Sequence, residues 1–511
     1  MRFHIGKKVA CAVAIPFFLA QSNPAAEEAR IHRIETNVVD VRVGDTEPPL
    51  RLDLAKLMQI YKVPGLSVAV IDNFRVVWAK GYGVIEPGST SPVTTRTLFQ
   101  AGSISKPVAA AGALYLVEHG KLSLDEDVNR KLKTWKVPEN EFTKEQKVTL
   151  RRLMSHTAGL TVQGFPGYEV GASLPSLVQI FNGEKPANTS PIRVDIVPGT
   201  KQRYSGGGVT IEQQLMIDVT GKPFPALMRE LVLDPIGMSS SSYEQPLPPA
   251  KAAMTAGGAQ SDGKPVHGKW HIYPEMAAAG LWTTPTDLGR FATEIALSKH
   301  GKSNRVLSEK MTQAMLTPVL DEAGLGFFME KDNPGQFGHN GADEGFQALL
   351  TMNAESGKGL AIMANSDNGI AVASFVARSI AREYAWNQRS REPGPFDTLL
   401  LIAKVKGADA ALHRFTELKK SGAIGENDAE GALNGLGYML MRSGQTVDAL
   451  AIFRKNVEEH PKSSNVYDSL GEAYMQAGQN DLAVRNYQRA LELDPNNRNA
   501  ANQLKELKAQ K

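Results

Sequence analysis

Strand patterns stand at two widely separated places in this chain of 511 residues. Runs of apolar and β-branched residues, bounded by turn residues, occur twice early and twice late in the sequence. Between them lies a stretch, from Ser103 to about residue 235, that we predict to be mostly helical. Because distant strands bury their apolar faces by pairing, we expect one antiparallel sheet flanked by helices, with an inserted helical subdomain. The predicted strands are 66–71, 75–80, 346–352 and 359–364, and residues 370–386 are predicted to form a closing helix.

The charge balance excludes two classes of partner. The net charge of +3 depends on Arg2, Lys7 and Lys8, which lie in a segment without acidic residues, 1–26. Removing these three from the 57 basic residues leaves 54, equal to the 54 acidic residues. A chain without net charge gives no sign of a basic surface that binds nucleic acid, or of a general polybasic patch that binds membranes. We therefore expect no nucleic-acid partner, and membrane contact only through an uncleaved signal.

The N-terminal segment has the pattern of a secretory signal. Its basic residues precede an apolar run, 9–20, and small residues then offer cleavage after Ser22 or after Ala26. Twelve apolar residues are too few to span a bilayer, which needs about 20. We predict a signal peptide over 1–26 and a periplasmic or secreted protein. The single cysteine, Cys11, lies inside this signal, so disulfides, thiolate catalysis and cysteine metal sites are excluded from the mature chain.

The C-terminal region carries an internal repeat with a period of 34 residues. It follows a polar, breaker-rich segment, 389–395, which we interpret as a linker. Small residues at fixed places let two helices approach closely, and a proline ends each unit, a pattern that resembles tetratricopeptide repeats. The matching pairs are Leu436/Leu470, Gly437/Gly471, Gly444/Gly478, Ala449/Ala483, Phe453/Tyr487 and Pro461/Pro495.

The second repeat unit, 464–497, matches the pattern better than the first, which has Asn456 where the second has Ala490. A degenerate earlier unit is predicted at 396–420, and Leu504 with Leu507 fits a polar-faced capping helix. Because a small number of repeats buries little surface by itself, we expect this region to depend on the preceding domain for stability. A protein or peptide partner is the expected ligand of such repeats.

A serine and a lysine three residues apart, Ser103 and Lys106, open an apolar run that we predict to be a helix. At this spacing both side chains face the same way. A serine hydroxyl becomes a useful nucleophile only when a base lies within hydrogen-bond reach, and a nearby lysine can be that base. The positive end of the helix dipole would also favour an oxyanion at the serine. An N-cap serine beside a surface lysine is the alternative interpretation of the pair alone.

Two later segments complete a pattern with this pair. Tyr204 stands on a glycine-rich turn before a predicted helix, and His339-Asn340-Gly341 leads into a predicted strand. In this order, Ser-x-x-Lys, Tyr-x-Asn and Lys/His-x-Gly, the chain resembles the serine β-lactamase and penicillin-binding-protein superfamily, in particular its class C β-lactamase-like branch. That branch also contains D-amino-acid peptidases and carboxylesterases. Segments 153–160, 234–238 and 278–282 agree with the resemblance, which covers roughly residues 50–385.

The resemblance implies a role for each motif residue. Ser103 would form an acyl-enzyme, and Lys106 and Tyr204 would share the proton transfers, with the identity of the base left open. Backbone N–H groups of Ser103 and Ala342 would form the oxyanion hole. His156 is expected to be a scaffold residue, and no cofactor or metal is expected. The expected substrate-binding residues are His339, Asn340, Gly341 and Gly206.

Two departures from the family pattern narrow the expected substrate. Gly206 stands where β-lactamases and D,D-peptidases usually have an asparagine that binds the substrate amide. His339 replaces a lysine, and Asp343 and Glu344 follow it, so a substrate carboxylate would be opposed. The expected function is therefore an exported serine acyl hydrolase for a small acyl substrate, such as an ester or a D-aminoacyl or peptide amide. The alternatives are a β-lactamase or D,D-peptidase, and a catalytically silent binding or scaffold protein that works through its repeats.

The predicted organisation is a signal peptide (1–26), a serine hydrolase domain (27–388), a linker (389–395) and a helical repeat domain (396–511). The hydrolase domain is predicted to have the α/β (α+β) fold of the β-lactamase/transpeptidase kind, with an antiparallel sheet flanked by helices. The repeat domain is predicted to be all-α.

Overall fold

A computed structural model describes residues 24–44, 47–386 and 393–509. Most of the predicted signal peptide, and of the predicted linker, lies outside the described residues. The strands are β1 (Val39–Val41), β2 (Leu50–Leu52), β3 (Gly65–Asp72), β4 (Arg75–Gly83), β5 (Phe99–Gln100), β6 (Tyr168–Glu169), β7 (His271–Ile272), β8 (Trp282–Thr283), β9 (Phe328–Met329), β10 (Gln336–Asp343), β11 (Phe346–Asn353) and β12 (Lys358–Ala364).

The helices of the hydrolase region are α1 (Pro24–Thr36), α2 (Leu54–Ile60), α3 (Ser105–Glu118), α4 (Leu150–Met154), α5 (Leu177–Asn182), α6 (Gly206–Thr220), α7 (Phe224–Met228), α8 (Asp234–Ile236), α9 (Pro249–Ala252), α10 (Met276–Ala279), α11 (Pro285–Ser298), α12 (Glu309–Met315) and α13 (Gly369–Glu383). Those of the repeat region are α14 (Pro395–Lys406), α15 (Ala408–Lys420), α16 (Glu426–Arg442), α17 (Thr446–Glu459), α18 (Ser464–Gln476), α19 (Asn480–Leu493) and α20 (Arg498–Ala509). None of the described helices is both long enough and apolar enough to cross a membrane.

The central sheet joins the two ends of the hydrolase region, as the sequence predicts. Its six strands run in the order β4-β3-β12-β11-β10-β9, and every neighbouring pair is antiparallel. Early strand β3 pairs with late strand β12, with Ala69 opposite Ala361. The predicted antiparallel sheet is therefore confirmed, and β10, which carries the third motif, lies next to the edge strand.

Both faces of this sheet are covered. One face packs against α11 and the core that contains α3 and α6, and the other packs against α13 and α1. Strand β3 is buried along nearly its whole length, which explains its almost continuous apolar sequence. Val68 and Val70 point to the α13 side, whereas Ile71 belongs to the other core.

The region between Ser103 and residue 235 is less helical than predicted. Residues 119–149 contain single 3₁₀ turns and irregular backbone, and residues 155–176 and 183–205 are irregular apart from the short strand β6. Left-handed glycines such as Gly159 and Gly167 turn the chain here, where most other residues are strained. The prediction of a mostly helical insertion is wrong for these stretches. The stretch 155–176 lies against Tyr204 and Gly206, through His156 and Phe165.

The repeat region forms three helix pairs, α14/α15, α16/α17 and α18/α19, followed by α20. The aromatic ring of Phe453 lies against Gly437, and the ring of Tyr487 lies against Gly471, one repeat later. The degenerate first unit is thus a genuine helix pair.

The repeats share one hydrophobic core with α2, α13 and the sheet face that α13 covers. Polar contacts cross the same junction: Arg378 binds Asp397 at 2.7 Å, and Lys62 Nζ donates to the Ser443 carbonyl at 3.2 Å. This continuous core gives the repeats a surface to pack against, and their dependence on the hydrolase domain for stability stays a prediction. The repeats consequently lie behind the sheet, while α3 lies on its opposite face.

Candidate active site

Ser103 lies in a short 3₁₀ turn, Gly102–Ile104, that leads directly into α3. Two glycines let this turn touch strand β10. A Cβ built on Gly341 would lie 1.9 Å from the Ala101 carbonyl oxygen, and one built on Gly102 would lie 2.4 Å from the Ala342 nitrogen. Gly102 also has φ +50°, which glycine adopts without strain. This close approach brings the Ser103 turn against Ala342. Ser103 and Ala342 are the two residues that the resemblance assigns to the oxyanion hole.

Lys106 faces Ser103 from the first turn of α3. Its Nζ donates to Ser103 Oγ at 2.8 Å and to the Ala278 carbonyl at 2.7 Å, and the residue is only 3% exposed. The Gln213 side chain steadies the segment that carries this carbonyl, since it bonds Pro274 O at 3.1 Å and Ala277 N at 2.9 Å. The predicted serine–lysine pair is therefore formed, with the lysine orientation fixed by backbone.

Tyr204 lies in extended chain just before α6, whose N-cap is Ser205. Its ring centroid is 4.9 Å from Lys106 Nζ, which brings the first and second motifs together. Gly206 opens the helix and donates its N–H to the Gln163 carbonyl at 2.9 Å. A Cβ on Gly206 would lie 3.1 Å from the Phe165 ring. The place where a side chain would begin is thus occupied by a neighbouring aromatic ring.

His156 holds Tyr204 from both sides. Its carbonyl accepts the Arg203 N–H at 2.8 Å, and its Nδ1 accepts the Ser205 N–H at 3.2 Å. The rings of His156 and Tyr204 have centroids 4.3 Å apart. Burial, and then the charge of Lys106, hold the pKa of His156 well below its usual value, so the ring is neutral and Nδ1 is free to accept. The sequence indicated only that His156 has a scaffold role. The structure shows that the residue it supports is Tyr204.

His339 lies inside the site on β10. Its ring centroid is 6.0 Å from that of Tyr204, and its Nδ1 pairs with the Asn340 carbonyl at 2.5 Å. Burial, reinforced by Lys106, lowers the pKa of His339 to about 3. Along the strand, residues alternate between the two faces, so Asn340 and Ala342 are exposed while Gly341 faces the Ser103 turn. The third motif thus contributes a neutral ring inside the site and an open strand edge outside it.

Three carboxyl groups are buried near Lys106 or the Ser103 turn. Burial raises the pKa of Glu212 and of Glu275 to about 8, and that of Asp343 well above its usual value. Both oxygens of each glutamate lack a hydrogen-bond partner among the described residues. The carboxyl group of Asp343 accepts the Gly102 N–H and faces the inside of the protein. Of the two acids expected to repel a substrate carboxylate, only Glu344 is therefore partly exposed.

Sequence reasoning missed several residues that line or support this site. Phe328, on β9, packs against His156, Tyr204 and His339, and Phe165 covers Gly206. No motif marks either phenylalanine, because each reaches the site through a loop or an edge strand. The missing side chain at Gly206 was the one sequence signal that another residue could approach this place.

Comparison with known proteins agrees with this geometry. The family model described as Beta-lactamase matches residues 50–385, and one described as TPR repeat matches residues 471–504. A beta-lactamase from Pseudomonas fluorescens is 31% identical over 235 residues, covering 45% of this chain and 60% of the relative. Penicillin-binding protein 4 from Amycolatopsis lactamdurans is 27% identical over 334 residues, covering 62% of this chain and 84% of the relative.

A solved structure has the same fold. The octameric penicillin-binding protein homologue from Pyrococcus abyssi matches with a TM-score of 0.56 at 22% identity, covering 69% of this chain and 80% of that one. The chain spans 60% of the length of the Pseudomonas relative. The Beta-lactamase model matches well over half of the chain, including all three motifs. The chain therefore belongs to the beta-lactamase family.

Proposed function

We propose that this protein is an exported serine acyl hydrolase that acts on esters or on D-aminoacyl or peptide amides. The observation that carries the proposal is the 2.8 Å hydrogen bond between Lys106 Nζ and Ser103 Oγ in a largely buried setting. At this distance Lys106, once it has given up its own extra proton, can take the hydroxyl proton during attack.

The proposed reaction has two halves. Ser103 Oγ bonds to the acyl carbon while its proton passes to Lys106 or Tyr204, and the carbonyl oxygen becomes an oxyanion. The N–H groups of Ser103 and Ala342 would stabilise that charge. The leaving alcohol or amine then takes a proton from the same pair, which leaves an acyl group on Ser103. Water, deprotonated by the pair, then bonds to the acyl carbon, and the bond from that carbon to Ser103 Oγ breaks. Ser103 Oγ takes the proton back from the pair, and the free acid leaves.

The test is covalent labelling with a fluorophosphonate probe, together with hydrolysis of p-nitrophenyl acetate. Ser103→Ala is expected to abolish both signals, and Ser91→Ala, which changes an exposed serine, is expected to retain both. Labelling that persists in Ser103→Ala would contradict the proposal. Absence of labelling in the wild type would favour the alternative of a silent binding protein whose repeats hold a protein or peptide partner.

A β-lactamase or D,D-peptidase is the second candidate, favoured by the similarity to the Pseudomonas fluorescens beta-lactamase. The neutral His339 and the side chain missing at Gly206 argue against a substrate carboxylate and a bound substrate amide. Hydrolysis of nitrocefin faster than that of short p-nitrophenyl esters would reverse this ranking.

Export is proposed from the N-terminal pattern. Both expected cleavage positions precede Glu27, whose carboxylate accepts from the Tyr384 hydroxyl and pairs with Arg30. Cleavage after Ser22 or Ala26 would therefore keep these contacts. The mass of the protein recovered from the periplasm or medium tests this, and an uncleaved chain retained inside the cell would contradict it.

A further inference from the structure

Two partly exposed phenylalanine rings lie near the second motif: Phe328 beside Tyr204, and Phe165 against Gly206. Phe328 lies on edge strand β9, directly opposite Gly338 of β10, where no side chain hinders it. Its ring centroid is 5.4 Å from that of His339 and 6.2 Å from that of Tyr204. The ring therefore lies beside two motif residues, with part of its surface open to solvent.

Phe165 reaches the same neighbourhood from a loop that is bound to the start of α6. Gly207 N donates to the Val162 carbonyl at 3.0 Å, and Ser205 Oγ donates to the Thr161 carbonyl at 2.8 Å. Val162 holds φ +63°, a strained conformation for a β-branched residue. Strain of this kind persists where surrounding contacts enforce it, often at functional sites. The loop is thus held in the one arrangement that lays Phe165 over Gly206.

The groups around these rings are uncharged. His156 and His339 are neutral, because burial and Lys106 depress the pKa of each ring. Lys106 already bonds Ser103 and the Ala278 carbonyl. The two histidine rings that pack against Phe328 therefore carry no positive charge that could hold a carboxylate.

We propose that Phe165 and Phe328 form an acyl-binding wall that selects uncharged acyl groups with an aromatic or branched apolar side chain. This inference rests on the proposed function and names its substrate class. An apolar acyl group gains free energy by covering the two rings, and ring–ring contacts add to that gain. A carboxylate laid against the Phe328 and histidine rings loses its hydration, and these uncharged rings do not replace it.

The experiment compares kcat/KM for p-nitrophenyl phenylacetate, acetate and hemisuccinate in the wild type, Phe165→Ala, Phe328→Ala and Phe142→Ala. Phe142 is also half-buried but belongs to a separate 3₁₀ turn, so it serves as the matched control. The wild type and the control are expected to prefer phenylacetate over acetate by roughly 10-fold or more, the scale of apolar pocket discrimination. They are also expected to use the hemisuccinate least. Each wall variant is expected to lose most of the phenylacetate preference and to keep labelling by the fluorophosphonate.

Leucine variants at the two positions guard against misfolding, because they keep apolar volume and should retain an intermediate preference. An unchanged preference in both wall variants, or a wild type that favours the hemisuccinate, would overturn the inference while leaving the acyl hydrolase intact. If the wild type hydrolyses none of the esters and is not labelled by the fluorophosphonate, the proposed function fails instead. Thermal shifts with 2-phenylethylboronic acid and 2-carboxyethylboronic acid then still test the wall, since a larger shift with the carboxylate would contradict it.

Discussion

The catalytic region and the repeat region bury very different side chains. Around Ser103, three carboxyl groups and two neutral histidines lie in the interior. In the described residues 393–509, the fully buried polar side chains are threonine, serine and asparagine, and none is charged. Buried ionisable groups are costly, and they concentrate where a protein carries out chemistry. The difference marks the first region as a reactive site and the second as a packed scaffold.

Glycine has a different use in each region as well. In the catalytic region Gly341 lets one backbone touch another, whereas in the repeats Gly471 lets a backbone touch an aromatic ring. A backbone contact cannot yield, while a ring can shift by a few tenths of an ångström. Substitutions should therefore affect reaction rate in one region and stability in the other.

The largest effect is expected from Gly341→Ala. The new Cβ would push β10 away from the Ala101 carbonyl, which should displace Ala342 from Ser103 and lower kcat/KM by about 100-fold or more. Ester hydrolysis with circular dichroism measures both rate and folding. Gly431→Ala is the control, because a Cβ there meets nothing within 4 Å. Full activity in Gly341→Ala would refute the backbone contact as the feature that positions the site.

The junction between the regions should be sensitive to Tyr61→Ala. Tyr61 is fully buried in the shared core, and the Lys404 ammonium lies 5.4 Å from its ring centroid. Loss of a buried ring is expected to lower the free energy of unfolding by about 3–5 kcal/mol. Urea denaturation measures this. Tyr61→Phe is the control, and it should be nearly neutral because the hydroxyl has no partner among the described residues. Activity per folded molecule should stay unchanged, and a large fall would show that the two sheet faces are coupled.

Within the repeats, Gly471→Ala is expected to cost about 1–3 kcal/mol of stability, the range for overpacking. Its Cβ would lie 2.9 Å from the Tyr487 ring. The same exchange at Gly431, on an open helix surface, should be neutral or stabilising by up to about 1 kcal/mol. Thermal unfolding of the two variants gives the comparison. Equal melting temperatures would show that the ring contact is not tight.

The pH dependence of stability should reveal the buried carboxyl groups. The pKa of Glu275 is raised to about 8 by burial, so the folded protein keeps a proton that the unfolded chain has already lost above about pH 4.5. Stability should consequently fall by up to about 1.4 kcal/mol per pH unit as the pH rises towards 8. Glu275→Gln should remove this part of the fall, whereas Glu145→Gln, at an exposed position, should not. Parallel stability curves for wild type and Glu275→Gln would contradict the buried, protonated state.

Much of the fold could be predicted from local patterns. The hairpin at residues 66–80 and the strands after residue 346 are runs of apolar and β-branched residues bounded by turn residues, so each strand could be located from its own residues. The repeats could also be predicted, because a fixed period indicates which small residue packs against which aromatic ring. The long loops after Ser103 were mistaken for helix, because apolar residues there serve irregular segments that glycines turn.

The sequence by itself determined which reactive side chains the site contains. These are Ser103 with Lys106 at helical spacing, followed by Tyr204 and His339 in the family order. It also determined the helical repeat, because the 34-residue period can be recognised from the spacing of residues along the chain. Tertiary structure alone decided that His156 supports Tyr204, that Phe165 fills the space beside Gly206, and that the repeats pack behind the sheet. These contacts join residues far apart in the chain. Their geometry depends on how whole elements pack, which no local pattern records.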